Sequence, residues 1–331
     1  MFWSTIHTID ILLWIFTACS VAYITFYALV NVFSRKKKVS IAGTNGISQS
    51  SFLVIFPAYR EDNVILHSVE SFLKQDYPTE KYNVVVVSDH QKKTTNDSLS
   101  LLSITLLKPS FMRSSKAKAL QFAIDNSGDE YDHVVILDAD NVVNADFLSK
   151  LNTLLSFGFK AIQCHRCAKN SDSSISILDG ISEEINNTLF RKSHNAIGLS
   201  SALIGSGMCF DYNWFKTNVQ KLSTAGEDRE LEVLLIQQNV FIKYAEDIPV
   251  YDEKVSNEDN FQRQRQRWMS AQINCLLSML PSLHKALFKG DINYIDKTIQ
   301  QMLIPRSMLI VFTLALSLLT TAFVTWWCIQ W

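Results

Sequence analysis

Residues 133–141 read His-Val-Val-Ile-Leu-Asp-Ala-Asp-Asn, an apolar run that stops abruptly at Asp138 and Asp140. Four consecutive apolar residues, Val134 to Leu137, predict a strand buried on both faces, the pattern of a parallel sheet covered by helices. The acids then fall at the strand's carboxyl end, the edge where open α/β sheets bind ligands. Carboxylates spaced Asp-x-Asp suit a hard divalent cation. Mg2+ takes only one or two protein carboxylates and completes its octahedron with phosphate oxygens and water. Most such tripeptides are solvated turns or helix caps, so the meaning of this one depends on the rest of the chain.

The surrounding pattern alternates strand and helix, the signature of an α/β fold. Strands are expected at 52–56, ended by Pro57, and at 83–87, running into Asp89; between them a helix capped by Asp62 carries Ile65, Val69 and Phe72 on one face. A short strand at 104–107 precedes a helix opened by Ser115, with Lys116 and Lys118 in its first turn, where lysines are unfavourable unless an anion lies close. A helix over 145–157 and a strand over 159–164 follow. Beyond them the periodicity predicts a long helix over 175–193 with Ile177, Leu178, Ile181, Ile185 and Leu189 inward. A strand over 202–210 is interrupted by Gly205 and Gly207, a sign of close approach by ligand or backbone. Gly226-Glu227-Asp228 opens another helix, for which an N-cap role alone would account for Asp228. A last strand is expected at 241–245, then a helix from 257 broken at Pro281, and an amphipathic segment over 282–301 of the kind that lies in a membrane interface.

Thirty-one basic residues face 32 acidic ones, so the formal charge is -1 and no global field attracts nucleic acid. Hydrophobic residues make up 47% of the chain and concentrate at both ends. Residues 11–33 carry no charge and are followed at once by Arg35, Lys36, Lys37 and Lys38, the reverse of a signal peptide. A second apolar block, within 307–327, follows Lys285, Lys289, Lys297 and Arg306. Both flanks predict a multi-pass protein of the plasma (inner) membrane with a cytoplasmic middle and both termini outside. Of six cysteines, Cys164 and Cys167 have the spacing of a redox or zinc motif, but two further ligands at comparable spacing do not follow. Cys164 reads as a strand residue, and Cys167 has no assigned role.

Several separated motifs, in order, resemble the membrane-bound family 2 glycosyltransferases, the group of hyaluronan, chitin and cellulose synthases. Phe56-Pro-Ala-Tyr-Arg-Glu61 is similar to the opening nucleotide-binding strand and loop, with Tyr59 and Glu61 in matching places. Asp89 resembles the acid that contacts the uracil base, and Lys116 the lysine near the nucleotide. Asp138-Ala-Asp140 is similar to the metal motif, Gly205-Ser206-Gly207 to the loop under the acceptor sugar, and Gly226-Glu227-Asp228 to the motif whose last residue is the catalytic base. Gln264-Arg-Gln-Arg267-Trp268 matches Gln-x-x-Arg-Trp, the most diagnostic of the set.

The resemblance implies a GT-A domain over 52–256, a Gln-x-x-Arg-Trp helix with interface helices over 257–301, and membrane helices at 11–33 and 307–327. It implies a UDP-sugar or other nucleotide-diphosphate sugar as donor, and inverting transfer to a growing glycan. Asp228 is then the base, and Asp140 a ligand of Mg2+ or Mn2+. Tyr59, Glu61, Asp89, Lys116, Asp138 and Arg267 would bind the nucleotide sugar. Gly205, Ser206, Gly207, Glu227, Gln264 and Trp268 would bind the acceptor. Arg263 and Arg265 are read as solvated. Two spans can hardly enclose a polymer channel. Either the chain, ending at Trp331 without a polar tail, is a shortened one, or it forms a homo-oligomer, or a separate partner exports its product. The rivals are a single addition onto a lipid-linked acceptor and a non-catalytic membrane scaffold, against which the retained acids argue.

Overall fold

The computed structural model describes residues 2–34, 48–128, 131–224, 226–254 and 258–323; most of the polar connector expected after the basic cluster lies outside them. In chain order the elements are α1 (Phe2–Phe33), β1 (Phe52–Tyr59), α2 (Ile65–Phe72), β2 (Tyr82–Asp89), α3 (Lys93–Leu99), β3 (Thr105–Leu107), α4 (Lys116–Asp125), β4 (His133–Ile136), β5 (Val142–Val143), α5 (Phe147–Leu155) and β6 (Ala161–Ala168). Then come α6 (Ser174–Asn186), a π-helical turn (Asn187–Lys192), α7 (Ser193–Ala196), β7 (Met208–Asp211), α8 (Tyr212–Val219), α9 (Glu227–Gln237), β8 (Ile242–Asp252), α10 (Glu258–Lys289), α11 (Ile292–Met302) and α12 (Arg306–Phe323).

The strands form one mixed sheet in the order β3-β2-β1-β4-β7-β6-β8-β5. Its first four members run parallel, and β7 and β5 are antiparallel to their neighbours. Alternation along β1 divides it between two cores. Phe52, Val54 and Phe56 pack with α2 and α5, while Leu53 and Ile55 pack with α4, α8 and α9. A strand buried on both faces needs apolar residues at every position, which is why the pattern is continuous rather than alternating.

Several elements depart from expectation. β1 continues through Pro57 instead of ending there. The Ile55 carbonyl accepts from Leu137 N–H, so odd-numbered residues of β1 turn their backbone groups toward β4, whose pairing with β1 stops at Ile55. The missing N–H of Pro57 therefore faces a side with no ladder left to satisfy. Asp62 does not cap α2; its carboxylate accepts from Lys92 N–H (2.7 Å) and the Thr95 hydroxyl (2.6 Å), tying α3 to the end of β1. The strand expected over 202–210 is reduced to β7, preceded by a loop. α10 runs through Pro281 to Lys289, since one absent N–H can be tolerated in a long packed helix.

The largest reversal is α6. Ile177, Leu178, Ile181 and Ile185 are exposed, Leu189 lies in the π turn and is buried, and Ser176, Asp179, Glu183 and Arg191 are inside. The helix turns its polar face to the domain because partners of opposite charge are there. Glu183 meets Arg191 at 3.0 Å and Lys254 at 3.8 Å.

Among the described residues one helical stretch, Thr8–Phe33, is long and apolar enough to cross a membrane. The second span expected over 307–327 is not supported. The apolar stretch of α12 is Met308–Leu318, too short to cross, and residues 324–331 lie outside the described ones. A multi-pass topology with both termini outside is thus unsupported as well.

Candidate active site

Register sets the geometry. β1 and β2 pair with Tyr59 opposite Asp89, and β4 pairs with Ile136 opposite Ile55. Asp89, Tyr59 with Glu61, and Asp138 with Asp140 therefore leave the sheet from one carboxyl edge. Each of β1 and β2 is followed by a left-handed residue, Arg60 (φ 55°) and His90 (φ 57°). The Arg60 N–H donates to the Asp89 carbonyl across that bend. Asp89 is buried, 2.6 Å from His90 Nδ1, and the His90 ring stands edge-on to the exposed Tyr59.

The Asp138–Asp140 turn is held from beneath. The Asp138 N–H donates to Asn141 Oδ1 (2.9 Å) and Ser206 Oγ (3.1 Å), and the Ser206 hydroxyl donates to Asn141 Oδ1. Asn141 Nδ2 and the Glu253 N–H donate to the two oxygens of Asp140. What these carboxylates face is mainly other carboxylates. Burial, then Asp138, push the Asp140 acid up to about 6. Partial desolvation, then Asp140, Asp138 and Glu253, push Glu61 up to about 7. Such a set of hard oxygen donors with an excess of negative charge fits a hard divalent cation.

Lys116 joins this edge to the rest of the site. Its ammonium donates to Asp138 Oδ1 (2.5 Å) and to the Gly205 carbonyl (2.6 Å), and lies 3.3 Å from Glu227 Oε1. Burial works against the charge, but Asp138, Glu227 and Asp228 outweigh it and hold the amine above its ordinary range. The anion that the first turn of α4 called for is therefore Asp138 itself. Gly205 has φ 68°, and a Cβ there would stand 3.7 Å from Asp228 Oδ2 and 3.8 Å from Lys116 Nζ, filling the space before both.

Asp228 is not the N-cap of α9; Gly226 occupies that position, and Glu227, Asp228 and Glu230 fill the first turn, where the helix dipole favours negative charge. Asp228 Oδ1 accepts from Arg229 N–H at 2.8 Å. Buried Glu227 is pushed up to about 7 by desolvation and Asp228, against the pull of Lys116. α10 packs directly on this turn, since a Cβ added to Gly226 would lie 2.4 Å from the Cβ of Ala271. Ala271 is three residues beyond Trp268, so α10 meets the first turn of α9 just after the Gln-x-x-Arg-Trp stretch.

Eleven of the fourteen singled-out residues meet along one edge: Tyr59, Glu61, Asp89, Lys116, Asp138, Asp140, Gly205, Ser206, Gly207, Glu227 and Asp228. Ser206 is fully buried with its hydroxyl donating to Asn141, and a Cβ on Gly207 would meet Val250 and Cys164. Arg267 is exposed. Arg265, read as solvated, instead reaches Asp179 (3.7 Å) and lies over the Trp268 ring at 5.5 Å. The side chain of Gln264 lies outside the described residues. Glu253, Asn141, His90 and the buried pair Arg166–Asp252 (2.5 Å) were missed. The acid at the end of β8 could have been found by the same strand-end rule as Asp138, had β8 been read past 245.

Residues 49–271 match the family described as glycosyltransferase like family 2. No curated protein sequence matches the chain. Among solved structures, the mannosyltransferase PcManGT from Pyrobaculum calidifontis, in complex with GDP-Man and Mn2+, is similar at 16% identity and a TM-score of 0.57, over 95% of each chain. TarS 1-349 of S. aureus is similar at 15% identity and 0.48, over 70% of this chain and 65% of that one; the full TarS structure is covered over 40% of its length. The mixed sheet with flanking helices is thus GT-A-like, and, with two thirds of its length matched, the chain belongs to glycosyltransferase family 2 and is a sugar-transferring enzyme.

Proposed function

We propose that this glycosyltransferase carries out inverting transfer from a nucleotide-diphosphate sugar to a glycan hydroxyl, with Asp228 as general base. The observation that carries the reading is the Lys116 ammonium. It draws Asp138 at the end of β4, the Gly205 carbonyl and Glu227 beside Asp228 into one contact set, so groups for diphosphate and acceptor lie a few ångströms apart.

Asp228 Oδ2 looks toward the gap that Gly205 leaves open. A hydroxyl there would hand its proton to that oxygen while attacking the anomeric carbon. Asp140, with Asp138 beside it, would hold Mg2+ or Mn2+, which supplies positive charge for the departing diphosphate. Lys116 adds a fixed cation to the same end. Tyr59 and Asp89 flank the base end of the nucleotide, and Trp268 offers a face for a sugar ring. The fold shared with a mannosyltransferase solved with GDP-Man and Mn2+ agrees with a nucleotide-sugar donor and a divalent ion. Domain 52–256 hangs from α1 on the side of Arg35–Lys38, the cytoplasmic side by the distribution of charge.

Replacing Asp228 by Asn should lower transfer by ~10²–10⁴-fold while leaving donor binding intact. Equal turnover of the variant and the parent protein removes Asp228 from the base role.

A second reading of the acceptor, single addition to a lipid-linked sugar rather than polysaccharide synthesis, is favoured by one feature. A groove of about 630 Å3 runs between α1 and α6, lined by Ala28, Val32, Gly180, Ile181 and Ile185. Its surface is mostly apolar, with Asn170, Ser176 and Glu184 along one side, and it borders α1. Sizing the product formed from labelled donor separates the two: long chains support synthesis of a polymer, single additions the lipid acceptor.

A further inference from the structure

Away from the catalytic edge, three side chains converge whose chemistry the transfer reaction does not use. His165 and Cys167 lie two apart on β6 and so share a face, opposite to that of Arg166. Glu184 of α6 comes to meet them, and the ligand atoms of all three lie within 4.8 Å of one another. The His165 ring is oriented from behind. Its Nδ1 is 3.1 Å from the Glu246 carbonyl oxygen, which can only accept, so Nδ1 carries the proton. Nε2 is then the atom that faces Glu184, at 2.9 and 3.2 Å.

A neutral ring held this way aims a lone pair at a carboxylate, and something positive must come between them. An imidazolium proton would suffice for His165 and Glu184 alone. The Cys167 thiol, which donates to the His165 carbonyl, lies beside the same ring, so a metal ion would replace that proton with all three side chains as ligands. A carbonyl-oriented histidine, a thiol and a carboxylate converging from two elements are the donor set of a zinc-class ion, with the backbone carbonyl in the usual supporting place. The soft sulfur sets this donor set apart from the all-oxygen edge at Asp140. Glu184 is exposed, so its carboxylate is free to draw back to the ligand spacing a tetrahedral ion needs.

We propose that His165 Nε2, Cys167 Sγ and a Glu184 oxygen form a second metal site, for Zn2+, with the fourth position taken by water. A bound ion would clamp the end of β6 to α6, fixing the residues on either side of Arg166, whose guanidinium reaches Asp252 under the catalytic edge.

The test uses the full chain in detergent, stripped with chelator, kept in excess Mg2+ and titrated with Co2+ as a spectroscopic stand-in for Zn2+. The expected result is one equivalent of tight Co2+ with a thiolate-to-cobalt charge-transfer band and tetrahedral d–d absorption, displaced by Zn2+. Cys167→Ser should abolish the charge-transfer band, and Glu184→Gln, a surface change that leaves the fold alone, should weaken binding by roughly tenfold or more. Asp140→Asn should leave the band unchanged. A titration without a thiolate band, or a band that survives Cys167→Ser, or equal affinity in Glu184→Gln, overturns the site and leaves a His165–Glu184 ion pair. Neither outcome bears on Asp228, whose test reads sugar transfer.

Discussion

Two carboxylates in this protein are withdrawn from water and end up with opposite acidities. Asp296 of α11 accepts from the hydroxyls of Tyr23 and Tyr27 on α1, at 2.7 and 2.6 Å, and lies 3.2 Å from His194 Nε2. Burial opposes its charge, but His194, Lys297 and Tyr27 outweigh that and hold the acid below the ordinary range. Lys297 lies 3.6 Å from Glu232, whose other oxygen accepts from the Leu203 N–H, so the cluster connects the anchor helix to the start of the 203–207 loop. Asp140 has two hydrogen-bond donors as well, yet burial first, and then Asp138 beside it, push it up to about 6. The difference lies in what each carboxylate faces. Donors converge on Asp296 and complete it, whereas at the sheet edge Lys116 reaches Asp138 while Asp140 and Glu61 are left facing carboxylates, a set that a divalent cation would complete.

The two kinds of carboxylate separate most sharply at Asp140. Asp140→Asn should reduce divalent-ion-dependent transfer by ~10²–10³-fold, yet leave unfolding in chelator unchanged or slightly harder, since a repelling charge has gone. Loss of both activity and stability would place Asp140 with the structural carboxylates. Asp296→Ala should do the reverse in kind. Removing the acceptor strands two hydroxyls and a histidine in a buried place, at a cost of about 3 kcal/mol or more. Denaturant unfolding in detergent reads this directly. A variant as stable as the parent would mean that α1 is held by its apolar contacts alone.

The sheet-edge half of this comparison was legible in the sequence and the half at α1 and α11 was not. Asp138, Asp140, Asp89 and Asp228 announce themselves because each sits at the end of an apolar strand or the start of a helix, and strand ends gather at one edge. Glu253 closes on Asp140 from 113 positions away, and Tyr27 reaches Asp296 across 269; no local pattern encodes such meetings. α6 misleads for a related reason. Its apolar stripe is real, but periodicity tells only that the two faces differ, and the face with Asp179 and Glu183 has the charged partners inside. Pro57 and Pro281 were read as stops because the sequence shows the missing N–H and not whether anything was waiting for it.

Between the two clusters lies the contact of α10 with Gly226, and it sharpens the comparison at intermediate cost. Neither the new Cβ of Gly226→Ala nor the Cβ of Ala271 can rotate away from a 2.4 Å approach, so α10 must shift. The expected loss is about 1–3 kcal/mol of stability. Transfer should fall further than stability accounts for, because the first turn of α9 carries Asp228. If activity per folded molecule is unchanged, then α10 only supports the domain and does not position the base.

The smallest effect is one of pH. Glu61 and Asp140, pushed up to about 7 and about 6, hold protons in the folded protein that the unfolded chain releases near its ordinary values of about 4. Between those values the folded state binds more protons than the unfolded one, so the contribution of these acids to stability falls as pH rises from about 4 to about 7. Glu61 is exposed and Asp140, though largely withdrawn from water, is not fully buried, so screening by solvent holds the change to about 1 kcal/mol. Asp296 has the opposite sign, its contribution being present above about 4 and lost as pH falls through its lowered value. Thermal unfolding in chelator at pH 5.0 and 7.5 should show the parent losing stability across that interval, with saturating Mn2+ removing the loss because the ion takes the place of the protons. A loss that persists with Mn2+ bound would be carried by Glu227, also pushed up to about 7, and not by Glu61 and Asp140.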